Sequence, residues 1–152
     1  MSTTLLTAPS KAAVTTQLMT ENWLRNVFSS DLYTVRGRAD AQPDGDHTPA
    51  VVVTHAHASV VEPPVLVVSI SDAPMSEDTI EDAGRHAAAG VKDFWVIEVK
   101  ARRLHIFRDP QPDAGAKHGY SYLQVRAHSQ NALVAPLAAE IHLAQVINLL
   151  PW

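Results

Sequence analysis

The sequence predicts one α/β domain of the α+β kind, in the order helix, three strands, helix, three strands and helix. Three patterns carry this prediction: a helix-spaced apolar stripe near the start, several short β-branched runs in the middle, and a short helix signal between two of those runs. The 152 residues match one ordinary domain, and the 46% of hydrophobic residues are enough for a core. The chain has no cysteine, which excludes disulfides and thiolate-bound zinc.

The start of the chain predicts a flexible segment and then a helix. Residues 1–10 are polar and small, so we expect them to fray ahead of a single domain at residues 11–152. Met19, Trp23 and Val27 are spaced by four and form one apolar stripe of the first helix. A short strand and the Asp-, Gly- and Pro-rich segment ADAQPDGDHTP, which is typical of a loop, follow this helix.

The remaining elements rest on β-branched runs and on helix-ending signals. Ser76 precedes two acidic residues and is a good helix N-cap, and Gly90 is well placed to end that helix. Apolar residues after Pro136, Ile141 among them, predict a last helix that packs on the core. The other predicted elements are helices at residues 11–29 and 137–150, and strands at residues 32–36, 50–54, 65–71, 94–100, 104–108 and 120–126.

Charge and hydropathy bear on partners and on location. The net charge of −4 gives nucleic-acid binding no support, because such proteins usually carry a basic balance or a dense basic patch. Lys100, Arg102 and Arg103 are close in sequence, but a solvated turn accounts for them. The apolar runs are too short to cross a bilayer, and the first residues lack the pattern of a signal peptide. We therefore expect a cytoplasmic protein with no membrane contact.

The stretch from Glu62 to Arg108 contains a specific series of features. They are, in order, the proline pair Pro63-Pro64, the valines Val67-Val68, the helix end Ala89-Gly90-Val91 and the strand Phe94-Trp95-Val96-Ile97. In this order and spacing the stretch is similar to the Uma-two family of restriction endonucleases, within the PD-(D/E)xK nuclease superfamily. The resemblance covers residues 49–147 and implies a restriction-endonuclease-like core, with a mixed sheet flanked by helices.

The family's catalytic residues do not carry over to this chain. The resemblance implies an aspartate that opens one strand, a glutamate in the next strand and a lysine on the following helix. Those three positions are occupied by Ala50, Ser69 and Asp82. Magnesium prefers carboxylate oxygens, and a serine hydroxyl is a poor substitute. The sequence therefore predicts that catalysis has been lost and that no cofactor is needed, with Mg²⁺ or Mn²⁺ expected only if cleavage survives.

Other carboxylates leave a relocated catalytic site open as an alternative. Glu98-Val99-Lys100 is an acidic-x-lysine triplet whose charged side chains would share one side of a strand. Asp72 and Asp82 could add ligands, since both lie among the acidic residues that follow the Ser69 strand. The competing interpretations are a solvated hairpin pair for Glu98 and Lys100, and helix-start charges for the others.

A histidine pair offers a different metal site. His55 and His57 would lie on one face of an extended segment, where two imidazoles could bind zinc or a similar ion. A third ligand could come from Asp44, Asp46 or His47 in the preceding loop. The alternative is a polar connection between strands.

The last residues of the chain are apolar. Leu149, Leu150 and Trp152 either fold back on the core or meet another subunit, and we expect them as interface residues in a homo-oligomer or with a protein partner. The function predicted from the sequence is a nuclease-fold protein that no longer cuts and acts in binding or assembly. The alternative is an active Mg²⁺- or Mn²⁺-dependent DNA endonuclease with relocated catalytic residues.

Overall fold

The structure is a computed structural model that describes residues 10–38, 49–57 and 62–151. The residues expected to form a flexible start, apart from Ser10, therefore lie outside the described part. No helix of the described residues is long and apolar enough to cross a membrane. The elements are α1 (Lys11–Val27), β1 (Tyr33–Gly37), β2 (Val51–His55), β3 (Leu66–Ser71), α2 (Glu77–Ala88), β4 (Asp93–Glu98), β5 (Arg103–Pro112), β6 (Tyr120–Ser129), β7 (Leu133–Val134), β8 (Ala144–Gln145) and two 3₁₀ turns, Leu137–Ala139 and Val146–Leu149.

Six strands form one mixed sheet in the order β1-β2-β3-β4-β5-β6. Neighbouring strands are antiparallel except for β3 and β4, which are parallel. A parallel pair needs a crossover connection, and α2 supplies it. This arrangement confirms the predicted mixed sheet with flanking helices.

Each face of the sheet carries its own core. The α1-side core packs Leu24 of α1 against alternate residues of the strands, such as Val68 and Trp95. The α2-side core packs Ala83 of α2 against the residues that point the other way, such as Phe94. Strand β4 is buried at every position because it lies between the two cores.

Both helices begin after a serine, and α2 is followed by a glycine. Ser10 caps α1, since its hydroxyl accepts a hydrogen bond from the Ala13 N–H at 3.0 Å. At the start of α2, the Thr79 hydroxyl accepts from the Ser76 N–H at 3.3 Å. Gly90 follows α2 with a φ of +86°, in the left-handed region that favours glycine. The helix predicted between Ser76 and Gly90 is confirmed.

The helix predicted at residues 137–150 is wrong. Ile141, which was expected to pack on the core, is 84% exposed, and the chain around it instead forms the β7–β8 pair and two 3₁₀ turns. Long-range bonds determine this path: the Leu137 N–H donates to an Asp93 carboxylate oxygen at 2.8 Å, and Val134 pairs with Ala144. Local periodicity contains no information about such bonds. We call residues 133–151 the C-terminal tail.

Candidate functional site

The three positions implied to be catalytic lie at β2, β3 and α2. Ala50 directly precedes β2, is 1% exposed and belongs to the α1-side core. Its N–H donates to the Val68 carbonyl at 2.8 Å, which holds β2 against β3. Ser69 alternates with Val67 and pairs with Val96, and both of those residues belong to the α2-side core. Ser69 therefore points toward the α2 face of the sheet.

Asp82 lies on α2 and forms ion pairs with its own helix. Its carboxylate contacts the Arg85 guanidinium and lies 3.9 Å from His86 Nε2. Burial lowers the pKa of His86, Arg85 acts in the same direction, and Asp82 opposes both. The structure thus brings Ser69 and Asp82 to the same face of the sheet, whereas Ala50 packs with the opposite core.

The chemistry of these positions does not suit a divalent cation. At the positions where the resemblance implies two carboxylates and a lysine, the chain has a methyl group, a hydroxyl group and an aspartate beside an arginine, so these positions supply no pair of carboxylates for Mg²⁺. Across residues 10–38, 49–57 and 62–151, no group of three or more His, Asp or Glu residues is arranged to hold a metal ion. The residues present do not fit the metal that cleavage requires.

Glu98 is buried rather than solvated. It is 7% exposed, its Oε1 atom contacts His105 Nε2, and its Oε2 atom accepts from the Met75 N–H at 3.2 Å. Lys100 does not share its strand, because β4 ends at Glu98 and Lys100 is exposed in the following turn. The structure separates the two members of the triplet, and the solvated-pair interpretation is wrong for Glu98.

Asp72 tethers α1. Its two carboxylate oxygens accept from the Ser10 N–H at 3.0 Å and from the Ser10 hydroxyl at 2.5 Å. The carboxylate therefore joins the end of β3 to the N-terminus of α1 across 62 residues of sequence. Asp72 and Glu98, the carboxylates suggested for a relocated site, both stabilise loops and helix starts.

The two histidines lie at the end of β2. His55 is the last residue of β2, and its ring stacks on Tyr33 with centroids 5.2 Å apart. His57 is exposed two residues later, and both line an open cleft of about 630 Å³. The suggested third ligands Asp44, Asp46 and His47 lie outside the described residues. No third ligand joins the pair within the described part.

Leu149 and Leu150 fold back on the chain's own core. They are 1% and 3% exposed and belong to the α1-side core, so they are not available as surface anchors for a partner. Arg102 holds the segment after them, since its Nη1 atom donates to the Pro151 carbonyl at 2.7 Å. Trp152, the third residue expected at an interface, lies outside the described residues.

The most highly connected ionisable group is one that the sequence did not single out. Asp93 is fully buried and accepts from Trp95 Nε1 at 2.7 Å, from Arg108 Nε at 3.0 Å and from the Leu137 N–H. Burial raises the pKa of Asp93, while Arg108 opposes that shift. The sequence did contain one signal for this role: Asp93 lies two residues before Trp95, on the same side of the strand, and a buried indole N–H needs an acceptor.

The six-stranded mixed sheet with the α2 crossover matches a nuclease-like fold. The chain is similar to a crystal structure of a putative nuclease belonging to DUF820 from Anabaena variabilis ATCC 29413, with a TM-score of 0.67 and 12% identity. That match covers 93% of this chain and 81% of the other, and at this identity it shows the fold alone.

The family follows from the sequence match. The model of the Uma2 family, described as putative restriction endonucleases, matches residues 7–144, and the chain belongs to this family. The predicted family is therefore confirmed. No curated protein matches the chain significantly.

Proposed function

We propose that this Uma2-family protein has kept the nuclease fold, has lost phosphodiester cleavage, and acts as a binding or assembly module that forms a homo-oligomer. The observation that carries the proposal is the set of residues Ala50, Ser69 and Asp82 at the positions where the family resemblance implies two carboxylates and a lysine. Cleavage needs a metal ion to activate water and to neutralise the charge that develops on the phosphate.

The surroundings of these residues support the loss of activity. Ala50 is packed in the core, so no ligand side chain fits there without rearrangement of β2. The Asp82 carboxylate is beside Arg85, where its charge is compensated within α2. The remaining candidates, Asp72 and Glu98, already accept hydrogen bonds from Ser10 and from Met75. A metal ion would have to displace these bonds.

A cleavage assay tests the first half of the proposal. Purified protein is incubated with supercoiled plasmid or RNA in Mg²⁺ or Mn²⁺, beside the variants Asp72→Asn and Glu98→Gln. We expect no cleavage by the wild-type protein, or weak cleavage that both variants retain unchanged because it comes from a contaminant. Cleavage that disappears in either variant would overturn the proposal in favour of a relocated active site.

The edge of the sheet supports the second half. Among the described residues, strand β6 pairs with β5 alone. It runs for 10 residues and exposes Leu123 and Val125 at 70% and 50%. A long edge strand with apolar side chains is a surface for pairing with another strand. A second copy of the chain offers the same strand, and antiparallel pairing of two β6 strands would give a symmetric dimer.

Sedimentation measurements test this assembly. We expect the wild-type protein to be dimeric at micromolar concentration and Leu123→Lys to be monomeric, because the lysine places a charge on the pairing edge. Leu18→Lys is the matched control, since Leu18 is an exposed leucine, at 51%, but lies on α1. A wild-type protein that sediments as a monomer, or equal effects of the two substitutions, would contradict assembly through β6.

A further inference from the structure

A second cavity lies on the opposite face of the sheet from Ser69, between the β5–β6 hairpin and the C-terminal tail. Its volume is about 320 Å³. Arg108, Arg126 and His128 line it from the strands, and Leu133 and Leu143 line it from the tail. The size falls in the range of small-molecule sites, and a mixture of apolar walls with a few polar groups is typical of them.

The strand register brings the polar groups together. Gln124 of β6 pairs with Arg108 of β5, Arg126 pairs with Ile106, and His128 pairs with Leu104. Since side chains alternate along a strand, Gln124, Arg126 and His128 all point to the same face as Arg108. The chain therefore presents two guanidinium groups, an amide and an imidazole on one side of the hairpin.

Arg108 is held in place by the surrounding structure. Its Nε atom donates to Asp93 at 3.0 Å, and its Nη2 atom donates to the Ala135 carbonyl at 2.7 Å. The third nitrogen, Nη1, makes no hydrogen bond with any described residue. Asp93 compensates the charge of Arg108, so this arginine supplies an oriented donor whose side-chain entropy is already lost.

Arg126 supplies the uncompensated positive charge. It is exposed and forms no ion pair with any residue in the described ranges. Burial lowers the pKa of His128, and Arg108, Arg126 and His105 act in the same direction. The carboxylate of Glu140 is the one acidic group among the cavity-lining residues, and its negative charge lowers the positive potential that the two arginines create in the cavity.

We propose that this cavity binds a small organic anion. Its carboxylate or phosphate group lies against Arg108 and Arg126, which donate charge-assisted hydrogen bonds. Its apolar part contacts Leu133 and Leu143, which are each 60% exposed. The site is independent of the proposed loss of cleavage, because it lies on the α1 side of the sheet and uses none of the residues at the positions where the resemblance implies catalysis. It shares strand β6 with the proposed dimer surface, which the sedimentation measurements test separately.

Calorimetry with benzoate, phenyl phosphate and inorganic phosphate tests the assignment on the full-length protein. We expect phenyl phosphate to bind at least several-fold more tightly than inorganic phosphate, because only the former has an apolar part. Arg126→Gln should weaken binding by about tenfold, the loss expected for one charge-assisted hydrogen bond. Glu140→Gln should strengthen binding, since it removes the opposing charge. Arg36→Gln, the same change on the edge strand β1, should have no effect.

A titration of His128 by nuclear magnetic resonance provides an independent measurement. A bound anion stabilises the imidazolium form, so phenyl phosphate should raise the pH at which the His128 ring titrates, and Arg126→Gln should reduce that change. Absence of binding at millimolar ligand would overturn the proposal, as would equal binding of phenyl phosphate and inorganic phosphate or equal effects of Arg126→Gln and Arg36→Gln. A 5′-phosphorylated oligonucleotide that binds more tightly than phenyl phosphate would overturn the assignment to a small ligand.

Discussion

On the α1 side of the sheet, Asp93 is fully buried and accepts hydrogen bonds from three groups, one of which is an arginine. On the α2 side, the position where the family resemblance implies a glutamate carries Ser69, which has no charge. Each side of the sheet has its own buried apolar core, so the two sides differ in their buried polar groups rather than in their packing. The buried carboxylates of Asp93 and Glu98 connect segments of the fold. In the described part of the chain, no group of three or more His, Asp or Glu residues is arranged to hold a metal ion.

This difference separates two roles of a buried carboxylate: one stabilises the fold, and the other binds a catalytic metal ion. A buried carboxylate with a complete set of partners stabilises the fold, and its removal leaves a charged partner unpaired. A catalytic carboxylate is held where its oxygens remain open to a metal ion, usually at some cost in stability. We therefore expect loss of the Asp93 carboxylate on the α1 side to alter stability strongly, and substitutions of the ionisable groups that α2 carries, such as Glu81 and His86, to have smaller effects.

The largest effect is expected for Asp93→Asn. The substitution leaves Arg108 without its charged partner and removes an acceptor from Trp95 or Leu137. We expect the free energy of unfolding to fall by about 3 to 4 kcal/mol, within the range for broken buried pairs and toward its lower end because Arg108 is 27% exposed. Urea denaturation measures this. Glu81→Gln, which breaks the exposed pair with Lys117, should leave the midpoint unchanged. If the two variants shift the urea midpoint equally, the buried Asp93 on the α1 side contributes no more to stability than the exposed Glu81 on the α2 side, which would contradict the account.

Leu149→Ala tests whether the tail belongs to the α1-side core. Because Leu149 is 1% exposed, its truncation should lower the free energy of unfolding by about 2 to 3 kcal/mol. Ile141→Ala, on the exposed part of the same tail, should change stability by less than about 0.5 kcal/mol. If Leu149→Ala instead changes the oligomeric state and leaves the stability of the monomer intact, Leu149 is an interface residue and its burial in the core is wrong.

The smallest effect is expected in the pH dependence of stability on the α2 side. Burial lowers the pKa of His86 from its ordinary value of 6.5, so the unfolded chain takes up the proton first as the pH falls. The stabilisation from neutral His86 is complete above that value and is lost as the pH drops below it. His86→Gln should therefore flatten the decrease in stability below about pH 6.5. A slope that is unchanged in His86→Gln would contradict the buried position of this ring.

The sheet could be predicted from the sequence because its signals are local. The valines around Val67 form a strand whose two faces are both buried, and Ser76 and Gly90 bound the crossover helix through their own backbone chemistry. The resemblance to the family supplied the mixed sheet flanked by helices. Strand ends were less accurate: β5 continues to Pro112 because it pairs with β6 as far as Tyr120.

The tail and the polar contacts could not be predicted, because they depend on which distant residues meet. Asp93 fixes the Leu137 N–H, and Glu98 meets His105 on the neighbouring strand, seven residues away in sequence. Glu98 pairs in register with Arg103, so the contact with His105 is diagonal and follows only from the twist and register of the sheet. Sequence patterns report which residues are apolar, but not the partners of the polar ones.

A Mn²⁺ titration tests the central claim most directly, since binding of the ion must precede any cleavage. The ion is paramagnetic and broadens nuclear magnetic resonance signals of nearby residues, so weak binding is visible residue by residue. We predict no selective broadening around Ser69, Asp72, Asp82 or Glu98 at millimolar Mn²⁺, because the described residues contain no group of three or more His, Asp or Glu side chains that could hold the ion. Selective broadening of these residues that disappears in Asp72→Asn or Glu98→Gln would contradict the account and would restore an active, relocated nuclease site.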